Sequence, residues 1–307
     1  MQFSLIVATV NRVNELEQLL SSLERQTRRD FEVIVVDQNP DNRLQPILQK
    51  HSRLSVEHLR SEKGLSRARN VALRLAKGDI ISFPDDDCWY PDDLLATVAH
   101  WFEGNPQFDV LFTATRTANG KLMVPKWAPG SGPCTRKSAL YSVVSFTGFL
   151  RRTVATAVGP FNEKIGIGSA SAYQSGEDID YYLRPLESGF RMWYEPSLTV
   201  YHPEFQAIER LTARTYGYAL GVGFVLRTHH FSWWDLAVAL MRSIGGAALN
   251  LCRGDVRRAH IYLLRAAGLL WGYVYGPDEV EKISDPPALA TSESSKSPAG
   301  ADEPRDR

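Results

Sequence analysis

Three adjacent aspartates, Asp85, Asp86 and Asp87, follow the apolar run DIISF and Pro84. Carboxylates side by side repel one another and gain nothing from burial. They make sense when a hard cation neutralises them. Magnesium and manganese prefer carboxylate oxygens and complete their shells with phosphate oxygens and water. The alternative is an acidic turn capping a helix that starts near Asp92. His202, just before Pro203, is a candidate ligand, although a lone histidine is more often structural. Glu177-Asp178 follows Ser175-Gly176. In isolation the pair reads as a helix start, where acidic side chains meet the positive end of the dipole. The segment GLSRARN (64–70) puts Arg67 and Arg69 in the first turns of a helix. That placement suits a phosphate-bearing ligand, and an ordinary solvated face is the plainer reading. No G-x-G-x-x-G follows the first strand and no G-x-x-x-x-G-K-[ST] occurs, which argues against a nicotinamide site and a P-loop.

These groups need elements to hold them. Residues 3–10 (FSLIVATV) form a short apolar, β-rich run, and Leu16, Leu19, Leu20 and Leu23 then recur at helical spacing. Residues 31–37 (FEVIVVD) predict a second buried strand, and 55–59 a weaker third. Residues 64–77 predict a helix with Leu65, Ala68, Val71, Ala72 and Leu75 on one side, ended by Gly78 as a C′ glycine. Residues 79–83 predict a fourth strand that runs into the aspartates. Such alternation means βαβ units and a parallel sheet, where ligands sit beyond the carboxyl ends of the strands. Thr9, Asp37 and the aspartate run all fall at such ends. Further on, 109–113 and 145–150 predict strands, and 121–137 a Pro/Gly-rich loop. Residues 165–176 (IGIGSASAYQSG) are expected to be mobile. Residues 177–187 predict a helix that Pro185 should shorten or kink. Two short strands, 191–194 and 198–201, are expected before His202.

The 307 residues admit two domains, or one large α/β domain with a tail. The chain is 44% hydrophobic and 23% charged, which excludes a mostly disordered, collagen-like or coiled-coil chain. With 35 basic and 35 acidic residues there is no global field to hold nucleic acid, so phosphate binding must be local. Cys88, Cys134 and Cys252 lie far apart, which argues against a disulfide framework or a cysteine zinc site and for a reducing, cytosolic setting. Residues 3–10 are too short for an export core and lack a basic n-region.

The ordered set FSLIVATVNR, VIVVDQNP, GLSRARNVAL, FPDDDCWYPDDL, GPFNE, SGEDIDYYLR and TVYHP resembles glycosyltransferase family 2 over about residues 2–205. The resemblance implies the A-type, Rossmann-like nucleotide-diphosphate-sugar transferase fold. Its sheet is mixed but mostly parallel, with C-terminal helices beyond it. It also implies roles. Thr9 and Asp37 match positions that hold the nucleoside base, and Arg69 one near the nucleotide. The aspartate run matches the D-x-D motif, with Asp87 as metal ligand and Asp85 and Asp86 facing ribose or donor sugar. His202 matches a histidine that completes a Mg2+ or Mn2+ site. Asp178 matches the catalytic base, and Glu177 would raise its basicity by like-charge repulsion if both face the site. The implied reaction is inverting transfer from a nucleotide-diphosphate sugar to a glycan or lipid-linked sugar acceptor, in bacterial cell-surface polysaccharide or glycolipid synthesis. Residues 165–176 would close over the substrates and exclude water.

The expected division is a catalytic domain over 1–205, a helical extension over 206–283 and a disordered tail over 284–307, where apolar periodicity ends. In the stretch 235–253, Arg242 interrupts any charge-free apolar run of ~18 residues, which argues against a span. Asp235, Arg242, Asn250 and Arg253 fall on one helical stripe, and Leu236, Leu240, Ile244, Ala247 and Leu251 on the opposite one. Arg257, Arg258 and Arg265 follow. This pattern suits an interfacial helix, with 235–275 peripheral at the cytoplasmic face of the inner membrane; packing on the main domain or on a partner subunit is the alternative. Two rival functions remain. A nucleotidyltransferase-like enzyme would need a glycine- and basic-rich loop where Thr9-Val10-Asn11-Arg12 stands. A non-catalytic nucleotide-sugar-binding module would have no need of a base.

Overall fold

The computed structural model describes residues 1–124, 130–204 and 208–276. Branched and aromatic runs give β1 (Phe3–Thr9) and β2 (Phe31–Asp37), joined by α1 (Asn14–Glu24), whose Leu16, Leu19, Leu20 and Leu23 are all fully buried. The chain continues through α2 (Gln45–Lys50), β3 (Val56–Arg60), α3 (Leu65–Leu73), β4 (Ile80–Ser82) and α4 (Leu94–Gly104). There follow β5 (Val110–Arg116), β6 (Leu122–Val124), β7 (Gly132–Pro133), α5 (Arg136–Ser142), β8 (Gly148–Arg151) and α6 (Arg152–Val158). Last come α7 (Glu177–Glu187), β9 (Met192–Tyr201), α8 (Ile208–Thr228), α9 (Trp233–Cys252) and α10 (Val256–Val274).

Among the described residues nine strands form one sheet, in the order β3-β2-β1-β4-β8-β5-β9-β7, with β6 on β5. β1 to β5 and β9 run one way, while β6, β7 and β8 oppose their neighbours. Phe3, Leu5 and Val7 pack toward α1 and α4, and Ile6 toward α3 and α7, so β1 is buried on both faces as a parallel strand should be. The β1–β2 register sets Thr9 beside Asp37, and the β2–β3 register sets Asp37 beside Arg60. The strand ends therefore converge on one rim.

Several boundaries move. The helix expected over 64–77 stops at Leu73. Gly78 serves a different need: a Cβ there would stand 2.5 Å from the backbone of Phe3 and Ser4, so only glycine lets the chain pass β1. Ser145–Thr147 is a 3-10 turn, and the strand begins at Gly148. The two short strands before His202 are one, β9, paired through a break in register between Glu195 and Thr199 that accommodates Pro196. Pro185 sits in the last turns of α7, which still reaches Glu187. The expected loop 121–137 contains β6 and β7. Its residues 125–129, the far end of the helical extension and the whole 284–307 tail lie outside the described residues.

Candidate active site

The aspartate run occupies the turn after β4, directly beyond the rim of the sheet. Trp89 and Tyr201 exchange backbone hydrogen bonds of 3.0 Å in an isolated bridge, and their rings stack at 5.7 Å. This bridge ties the turn to the end of β9 and delivers His202 to Asp87. His202 Nε2 lies 3.1 Å from Asp87 Oδ1, its Nδ1 lies 2.7 Å from the Pro203 carbonyl, and its ring stacks on Phe146. A carbonyl only accepts, so Nδ1 must donate, and a neutral imidazole then turns the Nε2 lone pair toward the carboxylate. Two acceptors at that distance require a proton or a cation between them. Asp85, Asp87 and His202 offer ligand atoms within 4.8 Å of one another. Two carboxylates and an imidazole fit a divalent ion of the magnesium or manganese kind.

The electrostatics are those of closely packed charges. Burial alone would raise Asp87, but His202 and Arg12 hold it below the usual carboxylate value. Burial would lower His202, and the hydrogen bond and charge of Asp87 raise it instead. Burial pushes Asp86 up to about 6 against the pull of Arg12. Asp85 is pushed up to about 7, chiefly by burial and then by the nearby Asp178 and Asp87, with Arg69 opposing.

Across Asp85 stands the second carboxylate. Gly176, at φ +93°, turns the chain into α7 and presents Asp178 in the first turn. Asp178 Oδ1 accepts from Arg69 Nη1 at 2.7 Å, and Oδ2 accepts from the Ser145 backbone N–H at 3.0 Å. Arg69 Nη2 donates to Ser145 Oγ at 2.6 Å and lies 3.6 Å from Asp85 Oδ1. The guanidinium sits against the rings of Phe83 and Phe161 and is 2% exposed. One buried arginine thus joins the metal-ligand side of the site to Asp178.

The structure brings Asp85, Asp86, Asp87, His202, Arg69 and Asp178 together and changes the expected part of several. Arg69 has no surface left for a nucleotide, so it braces the carboxylates from within. Asp37 is fully buried: Oδ1 accepts from the Asn39 backbone N–H at 2.8 Å and Nδ2 at 2.7 Å, while Oδ2 faces His58 and Arg60 at 3.1 and 3.2 Å. Asp37 therefore presents no surface of its own at the rim. Thr9 is also buried, its hydroxyl 3.4 Å from the Arg12 carbonyl. Glu177 does not face the site beside Asp178. It is buried against Gly166, whose φ of +104° and absent Cβ leave it room. Burial and the Asp178 charge push Glu177 up to about 8. Arg12 and Asn39 lie in the family-like segments FSLIVATVNR and VIVVDQNP, whereas His58, Arg60 and Ser145 carry no signal in the sequence that marks them as part of the site.

Residues 165–176 are not free to act as a lid. Leu65 N–H donates to the Ile167 carbonyl at 2.9 Å and Ser66 Oγ to the Ile165 carbonyl at 3.1 Å, which also occupies the α3 end expected to meet phosphate. Tyr173 is fully buried, with its hydroxyl donating to the Tyr275 carbonyl at 2.9 Å. Gln174 N–H donates to the Gly217 carbonyl and Ser175 Oγ to that of Tyr218. Gly221 of α8 passes so close to Ser175 that a Cβ would lie 2.0 Å from its carbonyl oxygen. The segment is clamped between α3 and the C-terminal helices.

The profile of glycosyl transferase family 2 matches residues 4–173, more than half of the chain. The chain belongs to glycosyl transferase family 2. It is 36% identical over 204 residues to an uncharacterised glycosyltransferase of Haemophilus influenzae, covering 64% of each chain. It is 32% identical over 127 residues to the poly(ribitol-phosphate) β-N-acetylglucosaminyltransferase TarS of Staphylococcus aureus, covering 39% of this chain and 22% of TarS. The aligned parts thus span less than two thirds of either relative. Among solved structures, TarS 1–349 from S. aureus superposes with a TM-score of 0.57 at 19% identity, covering 87% of this chain and 92% of that one. The mannosyltransferase PcManGT of Pyrobaculum calidifontis, solved with GDP-Man and Mn2+, gives 0.57 at 18% identity, covering 88% and 87%. These likenesses establish the fold, the A-type nucleotide-sugar transferase architecture.

Proposed function

We propose that this protein is an inverting glycosyltransferase that moves a sugar from a nucleotide-diphosphate donor to an acceptor hydroxyl. The observation that carries the reading is Arg69. It ties Asp178 to Asp85 and sets a fixed carboxylate beside a metal-binding set. Asp178 takes the proton of the acceptor hydroxyl as its oxygen attacks the anomeric carbon. The bond to the diphosphate oxygen breaks with its electron pair leaving on the diphosphate, and a single displacement inverts the centre. A carboxylate is a weak base toward an alcohol, and it suffices because the proton moves late, as the hydroxyl acidifies. Arg69 and Ser145 hold both Asp178 oxygens, so the remaining lone pairs point in set directions. A magnesium or manganese ion held by Asp85, Asp87 and His202 would supply Lewis-acid charge for the leaving diphosphate. Asp86 and the Asp37–Asn39–Arg60 cluster, at the same rim, are the groups we assign to ribose and base. A binding module has no use for a base braced in this way, and a nucleotidyltransferase lacks its phosphate loop here.

The acceptor class we propose is a bacterial cell-surface glycan or lipid-linked sugar, met at the cytoplasmic face of the inner membrane. Support comes from the helical extension. Trp233, Trp234, Met241, Ile244, Leu249, Leu251, Val256 and Leu263 are each at least half exposed. The same helices carry Arg242, Arg257, Arg258 and Arg265, and Arg253 directly follows α9. By length and composition α9 could cross a membrane, but Leu236, Ser243, Ala247 and Asn250 are buried against neighbouring helices, which favours a peripheral pose. Asn250 thereby leaves the expected polar stripe, and Ile244 and Leu251 leave the packed face for the exposed one.

A screen of nucleotide-sugar donors with manganese, followed by Asp178→Asn, tests the reaction. The variant should bind donor almost normally and lose about 10²–10⁴-fold in kcat, the usual worth of a general base. Normal turnover in Asp178→Asn refutes its role.

A further inference from the structure

Arg12 leaves the β1–α1 turn and lays one guanidinium nitrogen between two of the three aspartates. Nη1 is 2.7 Å from Asp86 Oδ1 and 2.5 Å from Asp87 Oδ2. The aspartates are mostly buried, whereas Arg12 keeps 44% of its side chain exposed. Asp87 is therefore shared: one oxygen faces His202 and the other faces Arg12. A divalent ion taking Asp87 must approach a fixed positive charge one carboxylate away.

The turn that aims Arg12 is itself held by the nucleoside side of the rim. Asn11 adopts φ +59°, a left-handed conformation that asparagine enters more readily than most non-glycine residues, and its contacts hold it there. Its N–H donates to Asn39 Oδ1 at 2.7 Å, and Asn39 is in turn fixed by Asp37. Arg43 Nη1 donates to Asn11 Oδ1 at 3.1 Å. A ligand that engages Asn39 thus bears on the backbone that carries Arg12.

We propose that Arg12 is the resident counter-ion of the aspartate run. It holds Asp86 and Asp87 when no divalent ion is bound, and it yields when ion and nucleoside diphosphate arrive together. Its freed guanidinium then meets the anionic diphosphate, for which its charge and exposure suit it. The consequence is coupling: the ion binds weakly alone and tightly with nucleotide, and nucleotide gains as much from the ion. This inference rests on the divalent-ion reading of Asp85, Asp87 and His202.

Calorimetry with Mn2+ alone, UDP alone and both together tests it on the wild type, Arg12→Gln and Arg12→Lys, with Asp87→Ala as the reference for a lost ion site. Arg12→Gln should bind Mn2+ alone at least about fivefold more tightly than the wild type, because one repelling charge is gone. The tightening of Mn2+ by saturating UDP should shrink by a similar factor. A lysine ammonium meets one of the two carboxylates at a time, so Arg12→Lys should fall between; it carries the test if Arg12→Gln melts below the assay temperature. If Arg12→Gln binds Mn2+ alone no more tightly than the wild type, while Asp87→Ala abolishes binding, the counter-ion role is overturned and the ion site stands. If the wild type binds no Mn2+ with or without UDP, the ion reading and this inference fall together.

Discussion

Gly221→Ala adds a single methyl group in the middle of α8, on the helical extension. An alanine Cβ would lie 2.0 Å from the Ser175 carbonyl oxygen, 2.6 Å from its carbon and 3.0 Å from its nitrogen. All three are backbone atoms, so no side chain can swing aside. Ser175 must retreat by about 1 Å before the closest contact is even tolerable, and Gly176, Glu177 and Asp178 follow it directly. Overpacking of this kind costs about 1–3 kcal/mol. At about 2–4 °C per kcal/mol for a chain of this size, Tm should fall by about 2–12 °C. The larger effect should be catalytic. Asp178 is aligned by contacts of 2.7 and 3.0 Å, and a 1 Å displacement of a reacting group costs about 10²-fold in rate. Steady-state kinetics with the donor identified by screening should show kcat reduced by about that factor, with donor affinity little changed. Gly245→Ala in α9 is the matched control. Nothing lies within 4 Å of its Cβ, so it should leave kcat intact and stabilise the helix by up to about 1 kcal/mol. Wild-type kcat and Tm in Gly221→Ala would refute the argument that α8 positions the base.

Other outcomes follow from the same geometry. Glu177 is raised from 4.5 to about 8 in the fold, so wild-type stability should fall as pH rises from about 4.5 to 8; Glu177→Gln should flatten that part of a Tm-versus-pH curve while keeping near-normal stability at pH 7. Burial would lower His229, but its hydrogen bonds to Asp180 and Glu187 raise it above 6.5. Its contribution is present in full below about pH 6.5 and lost as pH rises through the folded value, so His229→Asn should narrow the Tm gap between pH 6 and pH 9. Replacing Trp233 and Trp234, 63% and 69% exposed, by serine should weaken flotation with anionic liposomes at low salt without lowering Tm; unchanged flotation, or none by the wild type, would remove the membrane contact.

The roles given to Asp87, Asp178 and His202 came from the family resemblance, while the alternation of strands and helices and the convergence of Thr9, Asp37 and the aspartate run on one rim were legible because they depend on local pattern. The directions of side chains were not. Arg69 and Arg67 stand two residues apart on α3, yet Arg69 is buried in the brace while Arg67 pairs with Glu62 and Glu163 at the surface. Only the packing of Phe83 and Phe161 decides between them. Glu177 and Asp178 are adjacent, and the space under Gly166 admits one of them. Residues 165–176 look mobile by composition, but their glycines permit close approach to Gly64 and Glu177 rather than freedom. In α9 the helical pattern identified an amphipathic element without saying which face meets α10. Asn250 could turn inward because its side-chain amide donates to the Gly246 carbonyl at 2.7 Å.

The clamp on residues 173–176 also has a bearing on the order in which a growing chain becomes competent. Tyr173 is secured by the carbonyl of Tyr275, about a hundred residues later, and Ser175 by α8. Gly268 and Gly272 of α10 in turn press against the α8 backbone, where any Cβ would come within 2.7 Å and 2.1 Å of a carbonyl oxygen. The strands that carry Thr9, Asp37 and the aspartates emerge from the ribosome first and pair among themselves. The turn that leads into Asp178 acquires its last contacts only when α10 has been made and has closed on α8. A chain interrupted in translation before α10 would keep Arg69 and Ser145 on Asp178 but lack the Tyr275 end of the clamp on residues 173–176. In such a fragment α7 would start from a less constrained turn than in the full chain.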